Sequence, residues 1–150
     1  MAHIPSLETE PAQIAAILGL PKPASFDRLK LIDMIKRGVP AASARHVIEY
    51  IDPDGSSINV TDLIAKSTLH RRSETQKPLS TDASETLWQV ARVFVEARRL
   101  YRDERAALAF LLRGHPLLDG RRPFDLVRET AAGAELVLDV LGQAEAGIAV

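Results

Sequence analysis

An apolar stripe between residues 81 and 101 constrains the fold more than any other feature of this sequence. Apolar side chains recur there at steps of three and four, the spacing of one face of an α-helix. The repeating residues are Leu87, Val90, Phe94, Ala97 and Tyr101. Trp88, Ala91 and Val95 widen the stripe beyond what one neighbouring element would cover. The sequence therefore predicts a long helix over Thr81–Tyr101, capped by Ser80 or Thr81, as the spine of the fold.

The rest of the chain also favours helices, so we expect an all-α fold. Aromatic residues make up only 5% of the 150 residues, and the alternation typical of strands is rare. Proline and glycine divide the helical segments from one another. The expected helices start near Pro11, Phe26, Pro40, Val60, Ser67 or Thr68, Glu104, Pro123 and Ala131, with Asp103 and Thr130 as caps of their helices. Leu29, Ile32 and Ile35 are expected to face the core from the second helix, and Leu136 from the last.

A polar segment at residues 73–80, which contains Pro78, is interpreted as the joint between two halves. We therefore expect three parts. Residues 1–25 are predicted to be an N-terminal extension, residues 26–79 one helical domain, and residues 80–150 a second domain built on the long helix.

Charge is spread unevenly along the chain. Residues 1–65 carry a net −2, residues 66–128 a net +5, and residues 129–150 a net −4 with no Lys or Arg. A basic middle is compatible with nucleic acid, but it also fits an ordinary solvated surface or a patch that meets an acidic protein. The chain has no cysteine and no long apolar run or signal-peptide pattern, so we expect a cytoplasmic protein that does not enter the membrane.

No motif for catalysis or metal binding is present. The four histidines, His3, His46, His70 and His115, are not at metal-ligand spacing from one another. Phosphate-binding loops, nucleophile elbows and zinc motifs are absent, and Asp52-Pro-Asp-Gly lacks the later ligands of a calcium loop. We expect a binding protein with no enzymatic activity, no cofactor and no metal.

One candidate binding segment lies at residues 60–77. A short helix, a break and then Ser67-Thr68-Leu69-His70-Arg71-Arg72 follow the order of a helix-turn-helix, in which basic side chains meet bases and phosphates. A helix that merely begins with solvated arginines explains the same residues. Asp52, Asp54 and Asp62 upstream weigh against DNA binding.

A second candidate segment runs from His115 to the C-terminus. Arg121-Arg122 lead into Pro123-Phe124-Asp125-Leu126-Val127, and a capped helix with acidic and small residues follows. Gly133 inside that helix costs about 0.8–1.0 kcal/mol relative to alanine. Either a partner needs the room or the helix packs closely on its own core.

With these residues placed, the chain resembles the Xre/MbcA/ParS antitoxins, which are partners of RES-domain toxins. The resemblance covers about residues 26–147. In the C-terminal part it depends on an ordered series of positions: Ala106, Ala109, Leu111, Leu118, Gly120, Pro123, Asp125, Leu126, Thr130, Gly133, Ala134, Val137, Leu141 and Gly147. Upstream, the matching positions are Thr68, Leu69, Arg71, Arg72, Leu79 and Ser80.

The chain departs from the family pattern at several positions. Phe110 stands near the usual tryptophan, and Gly114-His115-Pro116 replaces a proline–asparagine turn. Asp119 and Arg122 stand where small residues are usual, and residues 52–57 look like an insertion. The first departures affect the choice of partner, whereas the insertion bears on DNA binding.

The resemblance implies an Xre-like helix-turn-helix half followed by a small helical toxin-binding domain. It implies neutralisation of a RES-domain toxin, which degrades NAD or transfers ADP-ribose, by covering its active site. The toxin-binding residues are then Arg121, Arg122, Asp125, Arg128, Thr130, Gly133, Ala134, Val137, Leu141 and Glu145. The acidic residues Glu129, Glu135, Asp139 and Glu145 would meet the basic groups that otherwise hold the pyrophosphate.

The same resemblance implies a homodimer, a toxin–antitoxin hetero-oligomer and repression of the chain's own operon through DNA. The DNA-binding residues are then Ser67, Thr68, His70, Arg71, Arg72 and Lys77. Two alternatives stay open: a stand-alone helix-turn-helix transcription regulator, and a structural or adaptor domain with neither activity.

Overall fold

The computed structural model describes residues 9–147, which form eight α-helices and no β-strand. The prediction of an all-α fold is confirmed. The helices are α1 (Glu10–Ile17), α2 (Arg28–Arg37), α3 (Ala42–Ile51), α4 (Lys66–Thr75), α5 (Thr81–Tyr101), α6 (Glu104–Leu112), α7 (Pro123–Glu129) and α8 (Ala131–Glu145). Single 3-10 turns lie at Pro23–Ser25, Val60–Asp62 and Pro116–Leu118.

Side-chain caps account for several helix starts, because the first backbone N–H groups of a helix lack partners within it. Asp27 accepts a hydrogen bond from the Lys30 N–H at 2.8 Å. Asp103 accepts from Ala106 at 3.1 Å and Ser80 from Ala83 at 3.1 Å. The predicted bounds of α5 and α6 and the caps at Ser80, Asp103 and Thr130 are confirmed.

The expected inward face of α2 is right for Ile35 but wrong for Leu29 and Ile32. Leu29 is 74% exposed and Ile32 is 45% exposed, whereas Leu31 and Ile35 are buried. Apolar residues lie on two sides of this helix, and the side with Leu31 and Ile35 packs on the core. Leu136 of α8, also expected inside, is 45% exposed.

The segment between α3 and α4 also differs from expectation. Only the turn Val60–Asp62 is helical there, and α4 begins at Lys66 after Ala65, so neither Ser67 nor Thr68 is a cap. The Asp52 carboxylate is buried and accepts hydrogen bonds from the Ser57 and Ile58 N–H groups at 2.9 and 3.1 Å. This one side chain fixes the start of the segment.

The contacts divide the chain into two compact units, with the division between Trp88 and Gln89 inside α5. In the first unit, α1 packs against α2 and α3, and the buried Ser84 hydroxyl accepts from the Val39 N–H at 2.9 Å. In the second unit, α7 packs on α6 and on α8.

The predicted domains 1–25, 26–79 and 80–150 stay predictions. Part of the first, residues 1–8, lies outside the described residues; Ile14 and Ile17 of α1, in its remainder, are buried. Within residues 9–147, no helix has the length and apolar character needed to cross a membrane.

Candidate functional site

The corner between α7 and α8 is the centre of the C-terminal candidate segment. Pro123 starts α7, whose last residue is Glu129, and the Thr130 hydroxyl caps α8 by accepting from the Gly133 N–H at 2.9 Å. A Cβ at Gly133 would collide with the carbonyl oxygen of Leu126. The two helix backbones therefore come closer than any other residue at position 133 would allow.

A carboxylate holds two of the predicted toxin-binding arginines. Asp125 accepts from Arg122 Nε at 2.9 Å and from Arg122 Nη2 at 2.8 Å, and its Oδ1 also accepts from Arg128 Nε at 3.3 Å. The hydrogen bonds from Arg122 are the largest cause that lowers the pKa of Asp125, so this carboxyl keeps its charge to a lower pH than an unpaired aspartate does. The third arginine, Arg121, is exposed and forms no ion pair among residues 9–147.

Four of the other predicted toxin-binding residues are buried in the second unit. Ala134 and Val137 are 0% exposed, Leu141 is 4% exposed and Gly133 is also buried. Side chains in such positions determine how α8 packs, and they do not reach a partner while the core is intact. Their contribution to toxin binding stays a prediction.

Two acidic residues of α8 are already paired with arginines of α5. Glu145 binds Arg99 at 2.6 Å, and Glu135 binds Arg92 at 2.9 Å. Arg99 also binds Glu96 at 3.0 Å. The hydrogen bond from Arg99 lowers the pKa of Glu145, and its bonds to Glu145 and Glu96 raise the pKa of the Arg99 guanidinium.

The acidic residues that remain are Glu129 and Asp139, which form no ion pair among residues 9–147. Asp139 lies on the exposed side of α8 with Leu136, which is 45% exposed, and with Ala132 and Gln143. We call this set the α8 face: Ala132, Glu135, Leu136, Asp139 and Gln143. It combines an apolar centre with two carboxylates.

The predicted DNA-binding residues differ from one another in exposure and in the side chains around them. Ser67, His70 and Arg71 are exposed on the first two turns of α4, and Thr68 is half-buried. His70 Nε2 lies 3.4 Å from Glu74 Oε1 of the same helix, so the Glu74 carboxylate would compensate the charge of a protonated His70. Arg71 forms no ion pair within residues 9–147.

Arg72 and Lys77 lie near the end of α4 and beside a cleft. Arg72 Nη1 donates to the Pro78 carbonyl at 3.0 Å, so this guanidinium holds the segment that leads into α5. Lys77 is exposed at the edge of a cleft of about 620 Å³, which Arg45 and His46 of α3 also line. Arg71 and Arg72, adjacent in sequence, thus have different surroundings.

Sequence reasoning missed Lys66 as a member of the α4 surface. It is exposed and opens the helix, which has no side-chain cap, so its first N–H groups are available to a phosphate. No sequence signal identifies Lys66, because no capping residue marks the start of the helix at residue 66. The described part of the chain holds no cluster of three His, Asp or Glu side chains suited to a metal ion.

The C-terminal part of the chain matches the model of a known protein family. Residues 96–147 match the model of the antitoxin Xre/MbcA/ParS C-terminal toxin-binding domain. The match spans the end of α5 and all of α6, α7 and α8, and so includes the α7–α8 corner, the Asp125 cluster and the α8 face. No curated protein matches the chain significantly.

Proposed function

We propose that this chain, which carries the toxin-binding domain of the Xre/MbcA/ParS antitoxins at residues 96–147, neutralises a RES-domain toxin by covering its active site. Such a toxin consumes NAD or transfers ADP-ribose, as the family resemblance implies. The observation that carries the proposal is the α8 face, where an exposed apolar residue lies between carboxylates on a helix of the matched domain.

The chemistry of the α8 face suits a basic pocket. From Glu129 onwards the chain has four acidic residues and no Lys or Arg. A site that binds a pyrophosphate presents cationic groups, and an acidic surface is attracted to them. Leu136 supplies apolar area that becomes buried at the interface.

Asp139 is the carboxylate best placed for this contact. To bind the toxin, Glu135 and Glu145 would have to give up their ion pairs with Arg92 and Arg99. The loss of these pairs cancels part of the binding free energy that the new contacts supply. Asp139 has no such partner among residues 9–147 to give up. We therefore propose Leu136 and Asp139 as the main contacts, with the exposed Arg121 at the edge and the buried residues of α8 holding the surface in place.

The experiment is rescue of growth when the full-length chain is expressed with the toxin encoded beside its gene. Leu136→Asp and Asp139→Lys change exposed side chains and leave the core of the second unit untouched. We expect both variants to lose protection, with toxin affinity reduced on the order of tenfold or more. Glu145→Gln is expected to have a small effect on affinity, because its carboxylate is engaged by Arg99.

Glu85→Lys is the matched control for Asp139→Lys, since it makes the same charge change at an exposed site outside residues 96–147. It should protect cells as well as the unchanged chain does. Survival of cells that carry Leu136→Asp or Asp139→Lys at wild-type levels would contradict the assignment of the α8 face. Failure of the unchanged chain to protect cells would overturn the antitoxin proposal itself.

A second activity, binding to operator DNA, is favoured by the exposed start of α4. Lys66, Ser67, His70 and Arg71 lie on its first two turns, where phosphates and base edges are usually met. DNA binding would serve either an antitoxin that represses its own operon or a stand-alone transcription regulator. The two differ in whether the chain has a toxin partner. We also propose that the chain acts in the cytoplasm as a homodimer that joins the toxin in a hetero-oligomer.

A further inference from the structure

A pocket of about 450 Å³ lies in the second unit where the end of α5, α6 and the loop after α6 meet. No residue of α8 lines it, so it is separate from the α8 face. Its walls are Tyr101, Phe110 and His115, and the exposed faces of Ala106 and Ala109 form part of its floor.

The walls are aromatic. The ring of Phe110 lies 5.9 Å from the ring of Tyr101 and 6.1 Å from that of His115, measured between centroids. Tyr101 is 40% exposed, whereas Phe110 is only 8% exposed. Small residues on α6 leave space beside these rings, and such a space suits an aliphatic or aromatic side chain.

The polar groups around the pocket are donors. His115 Nδ1 accepts from the Leu117 N–H at 3.1 Å, so the proton of the neutral ring is on Nε2. Arg113 is exposed and forms no ion pair among residues 9–147. Among residues 9–147, no Asp or Glu lines the pocket. Three side chains with donor groups, Tyr101, Arg113 and His115, and no carboxylate favour an anionic group on the ligand.

Two carboxylates at the start of α6 are engaged elsewhere. Asp103 caps α6 by accepting from the Ala106 N–H at 3.1 Å, and Glu104 lies 3.5 Å from Arg98. Neither carboxylate lines the pocket, nor does Asp119, and Arg113 forms no ion pair among residues 9–147 that would compete with an anion from outside the chain.

We propose that this pocket is a second docking site for the toxin. It would bind an apolar side chain of the toxin together with the carboxylate of a neighbouring toxin residue. The proposal rests on the proposed antitoxin function. A protein segment fits better than a small molecule because Leu117, which follows the pocket residue Pro116 in the chain, is 50% exposed and offers further apolar area next to the pocket. The pocket also lies inside the segment that matches a toxin-binding domain.

The test measures toxin binding by the full-length chain in calorimetric titrations. Ala109→Arg fills the pocket and Arg113→Glu reverses its charge, and both positions are exposed, so the fold should tolerate them. We expect each to weaken binding on the order of tenfold. Arg105→Glu is the matched control for Arg113→Glu: Arg105 is an exposed arginine of α6 that does not line the pocket, and its substitution should change affinity less than about twofold.

Alanine methyl groups give a second measurement that does not depend on variants. With the chain labelled at alanine methyls and the toxin unlabelled, Ala106 and Ala109 report the pocket, and Ala131 and Ala132 report the start of α8. The buried Ala107 is an internal reference. We expect the signals of Ala106 and Ala109 to shift when toxin is added.

Three results would overturn the proposal, and they can be told apart. If Ala132 shifts and Leu136→Asp weakens binding while both pocket variants bind normally, the pocket is not used but the antitoxin function stands. If Ala106 and Ala109 shift with the concentration of the chain alone, a second copy occupies the pocket. If the unchanged chain does not bind the toxin, the proposed function fails and the pocket proposal fails with it.

Discussion

At Gly133 the absence of a side chain determines the geometry of the α7–α8 corner. The Cβ of any other residue would meet the Leu126 carbonyl oxygen, which is backbone and cannot turn aside. The sequence left two explanations for this glycine, room for a partner or close packing within the chain. The structure supports close packing, because Gly133 is buried against α7.

We predict that Gly133→Ala destabilises the protein even though alanine is the better helix former. Overpacking costs about 1–3 kcal/mol, and a contact with backbone that cannot move aside belongs at the upper end of this range, above the gain of about 1 kcal/mol in helix propensity. Gly142→Ala in the same helix is the matched control, since a Cβ there would meet nothing within 4 Å. It should raise the free energy of unfolding in urea denaturation. Equal stabilisation by both substitutions would contradict the packing explanation.

At the scale of single elements, α4 combines two roles that its sequence does not separate. Its first turns expose Lys66, Ser67 and Arg71, whereas Arg72 donates to the Pro78 carbonyl and holds the following segment. The arginine pair was interpreted as one basic feature of a DNA-binding helix. Only Arg71 has the surroundings of a side chain free to meet a phosphate.

We predict that Arg71→Ala weakens operator binding and reduces the dependence of log K on log salt by about one unit, as the loss of one phosphate contact should. Arg72→Ala should instead lower the melting temperature, because the Pro78 carbonyl loses its donor. Titrations of the operator at stated salt concentrations and thermal melts distinguish the two. Arg37→Ala, at an exposed site on α2, is the control for loss of positive charge. A larger loss of affinity with Arg37→Ala than with Arg71→Ala would place the DNA contact elsewhere.

At the scale of the whole molecule, α5 supplies residues to both compact units. Ser84 and Leu87, near its start, are 0% exposed, and Ser84 satisfies the Val39 N–H of the first unit. A domain boundary predicted at residues 79 and 80 assigns these residues to the second half. The contacts divide the chain between Trp88 and Gln89, and the boundary at residues 79 and 80 stays a prediction.

We predict that a fragment of residues 1–101 melts at a higher temperature than one of residues 1–79. The shorter fragment leaves the buried Val39 N–H without its partner, which costs about 1–3 kcal/mol, and it also loses Leu87. Circular dichroism melts of both fragments test this. Ser84→Ala in the full chain should lower the melting temperature only by the part that is due to the lost hydrogen bond from the Val39 N–H. Identical melting of the two fragments would mean that the boundary predicted from sequence is also the structural one.

The sequence alone determined the class of the fold and most helix bounds. Asp103, Pro123 and Thr130 act on the backbone within the next few residues, so their effect can be predicted without any tertiary contact. The limits of α5 follow for the same reason, and the C-terminal resemblance agrees with the match over residues 96–147. At residue 66 no local cap exists, and there the predicted start was late.

Only the tertiary structure decided which side chains remain available for a partner. Leu29 and Leu136 have the spacing of core residues but are exposed, whereas Gly133 is buried. Glu145 and Asp139 look equivalent in the sequence, yet Glu145 pairs with an arginine 46 positions away, whereas Asp139 forms no ion pair with any residue from 9 to 147. Burial and ion pairing depend on residues that are distant along the chain, and no local pattern encodes which of them will meet.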